Sequence, residues 1–418
     1  MFKNSNISSI LIYFIPLALI TGPLIPDILV TSVCLIFIYE VFKEKKFNYF
    51  NNKFFIFFLI FYLISVLSSI FSDNPYISLK SSLFYFRFGL LALCIYKNIA
   101  EQKFDFTIFF YFLLIDFFIL LFDGYYQFIM GKNIIGIESA YGKSRLNSFF
   151  GDEYILGSYL SRLIFLFIAI IYKVKFKSLN LHFLILPILY FTIVLVFLSG
   201  ERTAFFLIII ATIVYIILAN FRLLPKILAI LIVFISVLLI FNLNKSTKER
   251  FYDLVLKEIG KTYWETSLNY KDKEILFLPQ HTSYFIVSFK MFKDNKILGH
   301  GNKSFSIKCE EYSINQSSCS THPHNNYIQI LAENGIFNFI ILISSFFLII
   351  YIFFKSLINK ILKKESLSNY QLSLLICLFI TLWPLTQSGN FFNNWLSIIY
   401  YLPAGFIIHE FKTNKFKL

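Results

Sequence analysis

Long apolar runs separated by short charged connections constrain this chain more than any other feature. A helix of about 20 apolar residues spans the ~30 Å hydrocarbon core of a bilayer. Within lipid every backbone N–H and C=O must be satisfied inside the segment, so such runs predict helices rather than open strands. Apolar runs are read at 7–20, 26–42, 54–71, 79–96, 104–122 and 155–172, then at 181–198, 204–220, 225–242, 327–354, 370–388 and 391–409. The expected fold class is therefore all-α, a polytopic membrane protein of about 12 transmembrane helices. The first run resembles a signal peptide, but Thr21-Gly22-Pro23 offers no small-x-small cleavage site, so it is expected to stay as a span. A composition of 57% hydrophobic and 15% charged residues excludes an ordinary soluble domain of 418 residues.

The charge pattern orients the spans. Lysines crowd the connections 43–53, 97–103, 173–177, 222–226 and 355–364 and the end 412–417. The alternate short connections, 21–25, 72–78, 123–154, 199–203 and 389–390, carry only Lys132, Lys143, Arg145 and Arg202, with Lys80 at the border of the fourth span. This is the positive-inside pattern, which accounts for the net charge of +14 without nucleic acid and predicts both termini in the cytoplasm. Three units follow: 1–242 with spans one to nine, a large helical extracytoplasmic loop at 243–326 acting as a cap, and 327–418 with spans ten to twelve. Within the loop, 248–264 reads as an amphipathic helix and 281–294 as a second helix, followed by a tight turn at Leu298-Gly299-His300-Gly301. Arg87 and Asp116 lie at similar depths in neighbouring spans and are expected to pair, whereas Arg162 has no evident partner.

The stretch Ser320-Thr321-His322-Pro323-His324-Asn325 ends the loop and opens an apolar helix. Pro323 is the expected first helical residue, which puts His324 in the first turn, where the positive helix end keeps an imidazole neutral and able to accept a proton. Asn325, Gln329 and Glu333 recur every fourth residue as a polar stripe that has to face protein or a wet cavity. Cys309 and Cys319, ten apart in the same loop, are a possible disulfide bracing the approach to His324; Cys34, Cys94 and Cys377 lie in apolar spans. His322 and His324 have no third ligand at a natural spacing and the outer segments hold no Asp-x-Asp pair, so neither a metal nor another cofactor is expected.

With these residues in view the chain resembles the O-antigen ligase and polymerase superfamily of bacterial membrane glycosyltransferases. His324-Asn325, nine residues, Gly335, two residues and Asn338 follow the ligase pattern except at the last position, where a small or tyrosyl residue is usual. Arg145-Leu146-Asn147-Ser148-Phe149-Phe150, Ser199-Gly200-Glu201-Arg202-Thr203-Ala204 and Leu298-Gly299-His300-Gly301 resemble the family in the same order. The resemblance implies a multi-pass protein of the bacterial inner membrane with its large loop in the periplasm. It implies metal-independent transfer of a glycan from an undecaprenyl pyrophosphate carrier to an acceptor hydroxyl on lipid A core or on another lipid-linked glycan. Membrane lipids are the remaining expected partner. His324 and Arg202 are then the catalytic pair, with Arg145, Asn325, Gln329 and Glu333 binding substrate. His281 or Arg250 stands for the family's loop arginine. Ligase-like transfer to lipid A core is the first reading and polymerase the second; the alternative of another class is a secondary transporter, for which the short central connection 173–180 and external polar mass are unsuited.

Overall fold

The computed structural model describes residues 5–139, 144–174, 181–221, 223–256, 279–313 and 318–413. Its regular structure is helical, apart from isolated bridge residues, Lys132 paired with Glu138 among them. The helices are α1 Ile7–Ile20, α2 Leu24–Glu44, α3 Lys53–Ile70, α4 Pro75–Ser82, α5 Phe86–Ala100, α6 Phe106–Met130, α7 Leu156–Lys173 and α8 His182–Leu198. They continue as α9 Arg202–Leu218, α10 Leu223–Leu243, α11 Lys245–Lys248, α12 Pro279–Asp294, α13 Phe305–Lys308, α14 Asn326–Ile361, α15 Asn369–Thr381 and α16 Asn394–Lys412. Among the described residues seven helical segments, with α4 and α5 taken together as one, are long and apolar enough to cross a membrane, and four shorter helices of 10–17 residues are also apolar.

Short polar residues start these helices. Asn6, Asn52, Asp105, Asn325 and Asn393 each accept backbone N–H groups of the first turn, and Ser368 forms a reciprocal capping box with Gln371. Helix α7 is the axis of the bundle, with 83% of its apolar window buried against α15, α6, α8 and α9, whereas α10 buries 6% and lies at the periphery. Helix α16 packs along α5, and α12 lies against the first part of α14.

Several expectations change. The run 79–96 is two helices, α4 and α5, joined by a 3-10 turn at Leu83–Tyr85. Arg87 does not pair with Asp116: it grips both oxygens of Asp27 at 3.0 and 3.1 Å, because the start of α2 is its neighbour. Asp116 instead accepts the Tyr159 hydroxyl at 2.8 Å. Arg162 folds back on its own helix and donates to the Ser158 carbonyl at 3.2 Å. The run 370–388 stops being helical at Thr381, since Pro384 disfavours helical backbone before it, and the chain continues to Asn393 as an irregular strap. Of the amphipathic helix at 248–264, residues 257–264 lie outside the described part; before them α11 runs into a π-helical turn at Glu249–Asp253.

Helix α14 breaks at Gly335, whose φ of 73° and ψ of −168° lie in the region open to glycine. The break exposes carbonyls that the turn after α12 satisfies. His300 N–H donates to Ala332 at 3.1 Å, Gly301 N–H to Glu333 at 2.8 Å, and Ile336 N–H in return to Lys296 at 2.9 Å. A side chain at Gly335 would collide with the Ile297 carbonyl, and one at Gly299 with the backbone of Glu333 and Asn334. Two glycine motifs far apart in sequence are thus the two halves of one backbone-to-backbone contact. It fixes the loop on the membrane helices.

Candidate functional site

The turn Ser199-Gly200-Glu201 delivers Arg202 to the first position of α9. Gly200, with φ 72°, sits so close to the Ser144 carbonyl that no side chain fits, and Leu146 N–H donates to Ser199 O at 3.3 Å. The Glu201 carboxylate accepts the backbone N–H groups of Gly157 and Ser158, capping α7 and tying its start to that of α9. Burial pushes the Glu201 carboxyl up from its ordinary pKa, an effect that the nearby Arg145 opposes; the Arg145 guanidinium donates to Tyr154 O and stacks 4.6 Å from the Tyr154 ring. Arg250 donates to Gly200 O at 3.1 Å. Arg250 therefore braces the turn that presents Arg202, while Arg145 is held on Tyr154.

His324 precedes α14 rather than lying in its first turn. Asn325, not Pro323, ends the loop: its Oδ1 accepts the N–H groups of Tyr327 and Ile328, and the helix begins at Asn326. His324 takes the left-handed φ of 57°, uncommon for a residue with a side chain and often found at functional sites. Its Nε2 lies 3.1 Å from Ser320 Oγ, and its ring stands 4.1 Å from that of His322, 5.5 Å from Tyr284 and 5.9 Å from His281. Burial holds the His324 imidazole below its ordinary pKa. Burial, helped by the neighbouring His324, pushes His322 down to about 4, against the opposing effect of its contact with Ser388 O. Both rings are neutral at pH 7.

The strap is sewn to this turn. Asn325 Nδ2 donates to Pro384 O at 2.7 Å and Thr386 O at 3.2 Å, Tyr327 Oη donates to Leu382 O, and Ser388 N–H donates to His324 O at 2.9 Å. Irregular backbone in an apolar bundle is tolerated where it is buried or lines a wet cavity. Here it lines one. A cavity of about 410 Å³ is bounded by Arg202, Thr203 and Phe206 of α9, His281 and Phe285 of α12, His324 and Asn325, and Leu385, Thr386 and Gln387 of the strap. That volume suits a small-molecule site. Cys309 and Cys319 are joined as a disulfide with Cα atoms 5.4 Å apart, and Cys319 begins the approach to His324.

Four residues singled out from sequence, Arg202, His281, His324 and Asn325, meet around the cavity. Gln329 and Glu333 are not part of its lining: Gln329 donates to Glu333 and accepts Phe391 N–H, and Glu333 also accepts Phe305 N–H, all within helix packing. Asn325 lines the cavity but has spent both donors and its acceptor on backbone. Asn338, at the position that departs from the ligase pattern, donates to Phe61 O and Ser65 Oγ of α3 at 3.1 and 2.9 Å. Sequence reading missed Phe285 and the strap. The available signal was Pro384 followed by the polar run Thr386-Gln387-Ser388-Gly389-Asn390, which does not suit a continuous span.

The O-antigen ligase family model matches residues 187–343, a segment that runs from α8 past the break in α14 and holds Arg202, His281 and His324. This match supports membership in the O-antigen ligase superfamily. No curated protein matches the chain. The superfamily is of ligase- and polymerase-type glycosyltransferases, and within the matched O-antigen ligase segment the two glycines 299 and 335 have the mutual packing role described above.

Proposed function

We propose that the chain transfers a glycan from an undecaprenyl pyrophosphate carrier to an acceptor hydroxyl, as an O-antigen ligase acting on lipid A core, on the periplasmic side of the bacterial inner membrane. The observation that carries this reading is that Arg202 and His324, more than 120 positions apart, line the same cavity. In the transfer, the acceptor oxygen forms a bond to the anomeric carbon as the bond to the diphosphate oxygen breaks. The acceptor proton passes to His324, and the diphosphate leaves with the electron pair. In the tautomer that donates Nε2–H to Ser320 Oγ, His324 Nδ1 holds the lone pair that receives the proton, and burial favours the neutral ring. The guanidinium of Arg202 supplies paired donors to the charge that develops on the leaving group. Residues 243–326 form the periplasmic cap over the membrane units 1–242 and 327–418. No step calls for a metal ion.

His324→Ala and Arg202→Ala should each abolish surface polysaccharide while leaving the amount of protein in the membrane unchanged. Normal polysaccharide in both variants overturns the assignment. Glycans that accumulate in a deletion strain separate the superfamily's two activities. Full-length lipid-linked polymer identifies a ligase, whereas single lipid-linked repeats identify a polymerase and overturn the lipid A core acceptor.

A further inference from the structure

The cavity is electrically one-sided. Arg202 is the only lysine, arginine or carboxylate among its described lining residues, and it enters from α9. The strap, 382–390, contains no charged residue at all. It is nevertheless the element bound most directly to the base, through Ser388 N–H on His324 O and Asn325 on Thr386 O. A hydroxyl that gives its proton to His324 has to come within about 3 Å of the ring. The cavity that would hold such a group has the strap as one of its walls.

The hydrogen bonds decide what the strap has to offer. Gln387 Nε2 contacts His281 Nε2, leaving Gln387 Oε1 without a partner among the described residues, and Thr386 Oγ is likewise unengaged. Asn325, which a sequence reading assigns to substrate, has nothing left to give. A neutral amide oxygen and a hydroxyl, flanked by the apolar faces of Leu385 and Phe285, suit a polyhydroxylated sugar. A phosphate is better served across the cavity, where the Arg202 guanidinium brings charged paired donors that the strap lacks.

We infer that Thr386 and Gln387 form the acceptor subsite and bind hydroxyls of the sugar that receives the glycan, while the diphosphate is held on the Arg202 side. This rests on the transferase reading of the cavity and adds which wall takes which substrate. Gln387 is then a specificity-determining residue, with its Oε1 accepting a hydrogen bond from an acceptor hydroxyl.

The test uses the full-length protein in lipid nanodiscs, with undecaprenyl-diphosphate-linked glycan as donor and lipid A core as acceptor. Binding of undecaprenyl diphosphate alone is measured in parallel. For Gln387→Ala the KM for acceptor should rise about tenfold, as expected for one lost hydrogen bond to a neutral group, while kcat and diphosphate affinity stay within about twofold of wild type. Thr386→Val, which preserves volume, should raise the same KM by a smaller factor. An unchanged acceptor KM in both variants overturns the subsite, as does a loss of diphosphate affinity equal to the change in KM. A wild-type protein that transfers no glycan overturns the transferase reading itself, a result separable from the first two because they require an active wild type.

Discussion

At the scale of single residues, the site depends on imidazoles kept neutral by burial. Both His322 and His324 have pKa values below the ordinary imidazole value of about 6.5, so their neutral forms are favoured in the folded protein. The sign follows directly. Below about pH 6.5 the unfolded chain takes up protons that the folded chain resists, so these groups contribute stability above that pH and lose it as pH falls toward 4. Transfer activity should show an acid limb centred below pH 6.5, measured as kcat against pH with donor and acceptor saturating; a limb at or above 6.5 contradicts neutralisation by burial. Asn338, inside the bundle, is a separate case. Asn338→Leu removes two hydrogen bonds, but the Ser65 hydroxyl still donates to the Phe61 carbonyl at 3.0 Å, so no group is orphaned and the expected cost is only about 1 kcal/mol, read from thermal unfolding in detergent.

At the scale of elements, the break in α14 and the strap act together. Gly335→Ala puts a methyl group against the Ile297 carbonyl in a conformation alanine disfavours, so the loop after α12 should detach from the Ala332 and Glu333 carbonyls. Expected is a loss of about 2 kcal/mol or more and faster proteolysis between α12 and α14, whereas a variant as stable as wild type removes that contact from the architecture. Reducing the Cys309–Cys319 bridge, or replacing both cysteines by serine, should loosen the approach to His324 and lower activity more than it lowers bundle stability, because the bridge lies in the segment between α12 and α14. Activity and the unfolding midpoint measured on the same samples check this. How legible these elements were depended on where their partners lay. The helices were readable because lipid demands long apolar runs, and the caps because Asn, Asp and Ser occupy the positions before them. The end of α15 was misread since hydropathy stays high through Trp383 and Leu385, and only Pro384 and the polar run after it mark the change.

At the scale of the whole molecule, ion pairs and capped helix ends assemble the bundle around α7. Lys97 is fully buried between Glu40 at 2.6 Å and Glu101 at 3.3 Å, and Lys46 and Lys103 also contact Glu101, so one end of the bundle is closed by a charged cluster. The cavity lies among α9, α12, the His324 turn and the strap. The lysine distribution predicts that these lie on opposite faces of the membrane. Of single cysteines placed at Lys363 and at Gln387 in a background lacking Cys34, Cys94 and Cys377, the one at 387 should react with a membrane-impermeant maleimide without disruption of the membrane, and the one at 363 only after permeabilisation. Labelling of both from the same side contradicts the orientation.

The sequence by itself determined an all-helical membrane chain, a Lys-rich side and the segments that carry Arg202, His281 and His324, because burial in lipid and charge asymmetry are properties of local composition. Pairing was decided by tertiary structure. Arg87 chose Asp27 over Asp116, and Gln329 and Glu333 turned to each other and to the backbone, because these partners are set by which helices touch and at what height. The same holds for the cavity: its strap owes its place to hydrogen bonds donated by Asn325 and accepted by the His324 carbonyl, more than 50 residues away, and short-range patterning carries no record of contacts at that separation.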